Sequence, residues 1–265
     1  MLGAEEFDIW PRRGEYLLLD REVGRRVTQA ITQLPNEQTR GVMVVPSTHG
    51  SLLLGPTALD DVDKNDRSTN ADVLARVIAE CRMLVPDLPA EHVIKSYAGL
   101  RPASDRTYRV EHSGAVDNLI QACGIRSTGI SSSPAVGDYV CGLLAEVGLA
   151  MRRRPGAVDR IPRRPRLADG GDCAELAREP LGRTVICACE KVTALEIHDA
   201  FRSAVPARSI AGVAKRTRAT WGRCQGAACL SGVSFITSLY VATPAWQLPW
   251  GDPAATLGVG EARRV

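Results

Sequence analysis

Two tight pairs of cysteines constrain this chain more than any other feature of its sequence. The chain has 265 residues and eight cysteines. Four of the cysteines form the pairs Cys187-x-Cys189 and Cys224-x4-Cys229 in the last third of the chain. The sequence starts without the basic-then-apolar order of a secretory signal, so we expect a reducing setting. In that setting, paired cysteines indicate metal ligation or redox work before disulfides, and one shared metal group would hold both segments in a single domain.

The spacing of the cysteines favours an iron–sulfur site. A [2Fe–2S] cluster takes two thiolates at each iron, whereas structural zinc prefers C-x2–4-C spacing, which a C-x-C pair does not provide. Gly222 and Gly226 would let backbone N–H groups approach the sulfurs. Basic side chains that would offset the negative charge of a thiolate-bound cluster surround the second pair: Lys215, Arg216, Arg218 and Arg223. Zinc, or buried cysteines without a metal, remain the alternatives.

The cysteine-bearing segment also resembles a known family. The runs "VICACEKVTALEI" and "AGVAKRTRATWGRCQGAAC" are similar to the bacterioferritin-associated-ferredoxin-like [2Fe–2S] domain, a small helical module appended to several flavoenzymes. The similarity covers roughly residues 184–235. It implies a small all-α domain in which one electron-transfer cluster is bound by Cys187, Cys189, Cys224 and Cys229.

The first 150 residues predict a mixed sheet with helices, an α+β fold. Short β-rich runs, most of them bounded by Gly or Pro, occupy residues 15–20, 41–46, 51–57, 92–100 and 118–123. Apolar residues at helical spacing predict a helix over Asn70–Val85, with Thr69 and Asp72 placed like a capping box. A second helix is expected from about Pro134 to Met151.

The composition changes after residue 150. Residues 152–166 hold seven arginines, three prolines and one acidic residue. The prolines break any helix and no aromatic residue interleaves, so a linker over 151–183 is favoured over a nucleic-acid patch. Beyond it, helices are predicted over Thr193–Ala204, with a capping box at its start, and after Gln225. The Gly/Ala-rich tail after Trp250 is expected to fray.

Three stretches of the first 150 residues are candidates for chemistry. His49 stands between two β-like runs, where a side chain can point into a cleft, although a lone histidine is more often a satisfied polar residue. Arg101 ends a strand and is fixed by Pro102, so it can clamp an anion through two N–H groups, with a surface ion pair as the alternative. Gly124–Pro134 opens onto a helix N-terminus, which can hold a phosphate or the anionic edge of a flavin.

Together these stretches resemble a second family. "PRRGEYLLLD", "VPSTHGSLLLGPT", "YAGLRPASD" and "GIRSTGISSSPAVGDYV" look like the C-terminal half of the D-amino-acid-oxidase-like FAD flavoproteins, over about residues 8–148. The glycerol-3-phosphate dehydrogenase and L-2-hydroxyglutarate dehydrogenase group is the most similar. Large subunits of anaerobic glycerol-3-phosphate dehydrogenases carry this flavoprotein body followed by the same [2Fe–2S] module, so the domain order agrees.

The second resemblance implies a function and roles for particular residues. It implies an FAD-dependent dehydrogenase that oxidises a small anionic hydroxy compound, with glycerol 3-phosphate as the leading candidate, and passes electrons on through the cluster. Arg101 would face the anionic group of the substrate, and His49 would line the pocket and take the hydroxyl proton. A backbone segment would lie along the isoalloxazine, and its residues are Gly124, Ile125, Gly129, Ile130 and Ser131.

One feature of that family is absent from the sequence. The family begins with a βαβ fold carrying G-x-G-x-x-G, and Gly258-x-Gly260 is a poor match to it. The resemblance therefore implies that FAD is shared with a partner flavoprotein subunit that supplies the ADP-binding half. A protein or a quinone-linked subunit would accept the electrons. A non-catalytic electron-transfer or scaffold subunit, or an inactive fragment, remains the alternative.

Charge and hydropathy bound the remaining possibilities. The net charge of +3 is too small to indicate a nucleic-acid or membrane partner, and no run approaches 18 apolar residues. We expect a cytoplasmic protein, with a peripheral position at the inner membrane through a partner as the alternative. The predicted order is a flavoprotein region at 1–150, a linker at 151–183, a [2Fe–2S] domain at 184–240 and a tail at 241–265.

Overall fold

A computed structural model describes residues 6–35, 41–60, 63–152, 155–156, 166–170, 173–258 and 260. The chain divides into two compact units, Met1–Val158 and Asp159–Val265. Of the predicted Arg/Pro-rich linker over 151–183, residues 153–154, 157–165 and 171–172 lie outside the described residues. The described remainder includes short helical segments at Leu167–Asp169, Cys173–Leu176 and Pro180–Arg183, and the linker boundaries remain predictions. Among the helices in the described ranges, none is both long enough and apolar enough to cross a membrane.

The first unit is built on a five-stranded antiparallel sheet. In the order β2-β3-β4-β1-β5, its strands are Ile31–Thr32, Met43–Pro46, Leu52–Gly55, Trp10–Leu19 and Val93–Ala103. A separate hairpin pairs β6 (Arg109–His112) with β7 (Ile120–Cys123). The helices are α1 (Arg21–Gly24), α2 (Ala71–Leu84) and α3 (Gly129–Glu146). The α+β prediction is therefore confirmed, and each predicted β-rich run overlaps a strand.

The core of this unit lies between the sheet and α2. Leu17 and Leu19 alternate along β1, so both point to the same face, where they are buried. Val77 and Cys81 of α2, one helical turn apart, pack into the same cluster. The helix is capped by Asn70, whose side chain accepts hydrogen bonds from the backbone N–H groups of residues 72 and 73. The predicted capping box at Thr69 and Asp72 was wrong, because the asparagine one position later forms the cap.

Glu15 fixes the start of α2 against the middle of the sheet. Its side chain is fully buried, and its Oε2 accepts a hydrogen bond of 2.9 Å from the backbone N–H of Asn70. Its Oε1 lies 3.4 Å from the guanidinium of Arg13. The carboxylate therefore receives both a cation and the positive end of a helix dipole, which offsets the cost of burying its charge.

Helix α3 begins five residues earlier than predicted and ends five residues earlier. Pro134 lies inside the helix, where it has no N–H to donate to the carbonyl of Ile130. The hydroxyl of Ser133 donates to that carbonyl instead, at 2.8 Å, so the helix can start before the proline. Gly148 has a φ of +81° and ends the helix in the left-handed conformation that glycine adopts without strain.

The second unit is helical apart from one short ladder between β8 (Val185–Cys187) and β9 (Val192–Thr193). Its helices are α4 (Cys173–Leu176), α5 (Ala194–Arg202), α6 (Ile210–Thr217) and α7 (Leu230–Val241). The capping box predicted at the start of α5 is confirmed, with reciprocal bonds between Thr193 and Glu196. Helix α6, which the sequence analysis did not predict, has only eight residues and a Ser209 cap.

The described part of the tail is ordered by contacts with α6. Leu248 is fully buried in the core of the second unit. The carbonyls of Pro249 and Trp250 accept the N–H groups of Ile210 and Ala211, at 3.2 and 2.6 Å. These carbonyls satisfy donors at the N-terminus of α6 that have no partner within the helix. Beyond Trp250, the N–H groups of Leu257 and Gly258 donate to the carbonyls of Leu248 and Trp246, at 3.0 and 2.8 Å, so the prediction of a frayed tail was wrong for these residues.

Candidate functional site

Arg101 lies on β5 directly opposite Arg12 of β1. Its guanidinium is held by two backbone carbonyls, because Nε donates to the oxygen of Arg12 at 3.4 Å and Nη2 to the oxygen of Thr57 at 2.5 Å. Burial lowers the pKa of Arg101, although an arginine stays charged in a protein. Both acceptors are neutral, and Arg101 forms no ion pair with a described residue. Its positive charge is therefore available to an anion.

The face of the sheet that carries Arg101 has a row of two glycines beside the guanidinium. Opposite residues on paired strands share a face, and the next row along is Gly14 opposite Gly99. A Cβ at Gly14 would lie 3.0 Å from Nη2 of Arg101, 3.1 Å from Cβ of Pro56 and 3.2 Å from the carbonyl oxygen of Thr57, so these atoms cover this glycine. A Cβ at Gly99 would meet no atom within 4 Å.

The row after the glycines closes this space. Tyr16 and Tyr97 lie opposite each other, with ring centroids 5.1 Å apart and planes at 9°. Strand geometry separates the arginine row from the tyrosine row by roughly 13 Å. We call the open space above Gly99, between these two rows, the glycine trough.

Other charged groups near Arg101 are partly neutralised. Arg12 makes a two-point ion pair with Asp60, at 2.7 and 2.6 Å, which lowers the pKa of Asp60. Arg126 donates to the carbonyl of Ser104 at 3.2 Å, and its buried Nε has no hydrogen-bond partner among the described residues. A cavity of about 750 Å³ is lined in part by Arg12, Asp60 and Arg126, but not by Arg101.

The glycine-rich segment lies beside the end of β5 that carries Arg101. Gly124 has a φ of +64°, and a Cβ there would lie 2.7 Å from Oγ of Ser104, just beyond β5. Ile125 follows, and then α3 begins at Gly129. The first N–H groups of that helix lack intrahelical partners, and Thr128 supplies no capping bond because its hydroxyl contacts Tyr108. Ile130 is 93% exposed, and the Ser131 hydroxyl donates to the Thr128 carbonyl. These unpaired N–H groups can donate hydrogen bonds to the negatively charged edge of a ligand.

His49 does not lie with Arg101. It occupies the tight turn between β3 and β4, where the N–H of Ser47 donates to the carbonyl of Ser51. That turn adjoins Leu52, which pairs with Leu19 at one end of β1, whereas Arg101 pairs with Arg12 towards the other end. Seven strand residues separate the two positions, or about 20 Å. The structure does not support the predicted pocket that His49 and Arg101 would share.

The four paired cysteines come together in the second unit. Cys187 ends β8, Cys189 lies in the turn after it, Cys224 in the loop after α6, and Cys229 directly precedes α7. Their sulfurs form two hydrogen-bonded contacts, Cys189 with Cys224 and Cys187 with Cys229. In the described chain, no three ligating side chains already converge on a single ion position. Two sulfur pairs side by side fit a two-iron group better than one tetrahedral ion.

Backbone N–H groups and burial set the acidity of these thiols. The N–H of Ala228 is the largest influence on Cys224 and lowers its pKa, with further help from the contact with Cys189. Burial and the charge of Cys187 raise the pKa of Cys229 to about 11. The N–H of Cys224 donates to Cys189, but burial and the neighbouring sulfurs leave the pKa of Cys189 raised. A cation bound among these thiolates would relieve their mutual repulsion.

Gly222 allows the two cysteine-bearing segments to touch. A Cβ at this position would lie 2.3 Å from Cβ of Cys189 and 3.1 Å from Oε1 of Glu190. Gly226 has a φ of +95°, which lets the chain turn between the second pair of cysteines. The donor set and these two glycines fit a [2Fe–2S] cluster held by all four cysteines.

Several residues around both sites were not predictable from the sequence. Gly14, Gly99, Tyr16 and Tyr97 belong to the Arg101 site only through strand register, although their period-two spacing along each strand was visible. Arg126 stands inside the quoted "GIRSTG" run but was not singled out. The ion pair between Glu190 and Arg218, with Nε 2.9 Å from Oε2, was likewise not predictable from spacing.

Comparison with known proteins gives one family match in each unit. Residues 1–143 match the family described as FAD dependent oxidoreductase, and residues 185–236 match the BFD-like [2Fe-2S] binding domain. A glycerol 3-phosphate dehydrogenase of Caloramator mitchellensis is 34% identical over 233 residues, covering 86% of this chain and 48% of the relative. The anaerobic glycerol-3-phosphate dehydrogenase subunit A1 of Haloferax volcanii is 27% identical over 210 residues, covering 64% of this chain and 34% of the relative.

A solved structure supports the fold of the first unit. It is the dithionite-reduced L-alpha-glycerophosphate oxidase from Mycoplasma pneumoniae with FAD bound, with a TM-score of 0.52 and 26% identity over 58% of this chain and 40% of that one. The chain thus spans about half the length of the first relative, or less for the others. Because the first family match covers more than half of the chain, this chain belongs to the FAD-dependent oxidoreductase family, and it carries a BFD-like [2Fe–2S] binding domain in its second unit.

Proposed function

We propose that this chain provides the substrate-facing and flavin-facing part of a dehydrogenase that acts on a small anionic hydroxy compound, with glycerol 3-phosphate as the leading candidate. The observation that carries the proposal is the guanidinium of Arg101, fixed by two neutral carbonyls at the edge of the glycine trough. The enzymes named for glycerol 3-phosphate or glycerophosphate among the relatives support this choice of substrate.

Arg101 would bind the phosphate of the substrate and orient its carbon chain along the trough. A guanidinium held by Nε and Nη2 still has other N–H groups, so it can donate two parallel bonds to a phosphate. The stacked tyrosines limit the length of the trough, which favours a three-carbon chain over a long one. A carboxylate would bind the same arginine, so glycerol 3-phosphate is preferred on the relatives' names rather than on charge.

The segment around the start of α3 would hold the flavin. FAD, when bound, accepts a hydride from the carbon that carries the hydroxyl group. The N–H groups of Gly129, Ile130 and Ser131, together with the backbone at Gly124 and Ile125, would then face the edge of the ring that becomes negative, as the dipole of α3 favours. The N-terminus of α3 carries no side-chain cap, which leaves these N–H groups open to such a ring edge.

The proton acceptor for the hydroxyl group is assigned to the part of the enzyme that supplies the ADP-binding half. His49 is about 20 Å along the sheet from Arg101, which removes it from this role. Among the described residues of the trough, the titratable groups other than arginine are the two tyrosines. Burial raises the pKa of Tyr97 to about 12, so it holds its proton too tightly to act as a base at neutral pH.

Cys187, Cys189, Cys224 and Cys229 would bind a [2Fe–2S] cluster, which supplies one-electron transfer when bound. Such a group suits this enzyme because a flavin is reduced by two electrons together, whereas many acceptors take one at a time. The relative named as a subunit supports a multi-subunit flavoprotein complex. We propose that its other members are a flavoprotein part with G-x-G-x-x-G and an electron acceptor, either a protein or a quinone-linked subunit.

The experiment uses the chain co-expressed with the flavoprotein half that carries G-x-G-x-x-G. Anaerobic addition of sn-glycerol 3-phosphate should bleach the flavin absorption near 450 nm, and Arg101→Ala should raise the substrate concentration required by roughly 10–100-fold, the value of a charged hydrogen-bonded contact. His49→Ala is the matched control and should leave the titration unchanged. If Arg101→Ala also has no effect, the substrate site proposed here is wrong.

A non-catalytic electron-transfer or scaffold subunit is the second candidate. The separation of His49 from Arg101 favours it, because the described residues of the glycine trough then lack an evident base. This candidate predicts cluster-dependent electron transfer in the complex while Arg101→Ala leaves substrate turnover intact.

A further inference from the structure

Glu190 and Arg218 form an ion pair beside the paired cysteines. Nε of Arg218 lies 2.9 Å from Oε2 of Glu190. The Glu190 side chain is 3% exposed and that of Arg218 is 24% exposed. Glu190 directly follows Cys189, and Arg218 begins the loop that leads from α6 to Cys224.

The pair connects the two segments that carry the cysteines. Arg218 has a φ of +72°, and its backbone N–H donates to the carbonyl of Ala214 at 2.7 Å, so the end of α6 fixes its position. Its guanidinium carbon also lies 6.0 Å from the centroid of the Trp221 ring. Gly222 then packs on Cys189 and on Glu190 itself. The ion pair and the glycine contact therefore hold one cysteine-bearing turn against the other loop.

The charges of the pair matter because the four nearby cysteines would bind the cluster as thiolates. A [2Fe–2S] cluster on four thiolates is negative, and it gains one more negative charge on reduction. A buried carboxylate next to a ligand disfavours that gain, whereas a nearby guanidinium favours it. In the observed pair the two effects offset each other.

We propose that Glu190 and Arg218 are positioning residues of the iron–sulfur site. The pair fixes the Cys189 turn against the Cys224 loop, and Arg218 compensates a carboxylate that would otherwise lower the reduction potential of the cluster. This inference rests on the iron–sulfur part of the proposed function.

The test compares single and double variants of the full chain, purified anaerobically. The midpoint potential is measured by titration with dithionite, which gives one electron to each cluster and is itself oxidised to sulfite. Arg218→Gln should lower the potential and Glu190→Gln should raise it, while the double variant should return towards the unmodified value. Loss of iron to a chelator should be roughly 10–100-fold faster in either single variant, as for other residues that support a metal ligand.

Arg166→Gln is the matched control. It breaks an ion pair with Glu196 that also measures 2.9 Å, between side chains that are 27% and 12% exposed. Arg166 also donates to the carbonyl of Thr217 at 3.2 Å, but neither contact is with the Cys189 turn. The control should leave the potential and the rate of iron loss unchanged. Single variants that both shift the potential in the same direction, or that behave like the control, overturn the proposal.

Two further outcomes remain decisive. If Arg218→Gln does not fold, Glu190→Gln alone must raise the potential, and Arg218→Lys must keep it near the unmodified value; failure of either overturns the proposal. If the unmodified chain binds no iron, the iron–sulfur part of the proposed function is wrong as well. An unmodified chain with two irons and unresponsive variants refutes only this inference.

Discussion

Replacing Gly222 with alanine tests the geometry of the iron–sulfur site most directly. The added Cβ would lie 2.3 Å from Cβ of Cys189, whereas carbon atoms in contact stay about 3.5–4.0 Å apart. The backbone at Gly222 is not in the left-handed region, so alanine meets no conformational strain there. Any effect of the substitution is therefore due to the steric conflict with the cysteine turn.

The size of the conflict determines the expected result. One of the two segments must move by more than about 1 Å, and overpacking of this kind costs roughly 1–3 kcal/mol of unfolding free energy. Iron ligation tolerates much less movement, because distances at a metal site are fixed to within about 0.2 Å. We therefore expect Gly222→Ala to lose most of its iron while keeping most of its helical structure.

The assay is iron and acid-labile sulfide per chain, with visible absorption and far-UV circular dichroism on the same anaerobic sample. Gly232→Ala is the matched control, because this glycine lies inside α7 of the same unit and its added Cβ would meet Ile186 at 3.3 Å, a far milder contact. The control should keep its iron. A Gly222→Ala chain with two irons and an unchanged spectrum would show that the segments are not packed as described.

Three further substitutions test the first unit. Gly99→Val should raise KM for glycerol 3-phosphate in the co-expressed enzyme by roughly 10–100-fold, because the valine side chain fills the glycine trough. The circular dichroism spectrum should not change, since an added Cβ meets no atom within 4 Å. An unchanged KM would contradict the proposed trough. Glu15→Ala should cost about 3 kcal/mol in urea unfolding, because the N–H of Asn70 loses its acceptor. Burial raises the pKa of Cys81 from 9.0 to about 11, so the protonated thiol stabilises the fold below pH 9 and this contribution is lost as the pH rises to 11. Alkaline urea unfolding of Cys81→Ala should lack that loss, which is about 3 kcal/mol.

The elements that the sequence predicted well depend on local chemistry. Helix α5 was predicted with its cap because Thr193 and Glu196 form a capping box within four residues. Helix α3 was displaced because Pro134 was taken as its start, and only the structure reveals that Ser133 satisfies the carbonyl of Ile130. Helix α6 escaped prediction because its N-terminal donors are satisfied by the distant tail.

The two sites also differ in how much of each could be predicted from local sequence. The four cysteines were predicted together because their spacing alone specifies two pairs of thiolates, and the family match over 185–236 agrees with that spacing. His49 and Arg101 were joined by resemblance, but whether two strand ends meet depends on sheet order and register. The order β2-β3-β4-β1-β5 separates them along β1. The same register forms the glycine trough, which no local pattern indicated.

Both sites keep the charge of their functional group available by surrounding it with neutral backbone partners. Two carbonyls fix the orientation of Arg101 without neutralising its charge. Asp60 neutralises the neighbouring Arg12. Cys224 is stabilised by backbone N–H groups in the same manner. Glu190 and Arg218 follow the opposite arrangement, because they neutralise each other and are left with a positional role. Substitution of Arg101 or Cys224 should therefore change substrate binding or iron ligation itself. Substitution of Glu190 or Arg218 should first shift the reduction potential and the lifetime of the bound cluster.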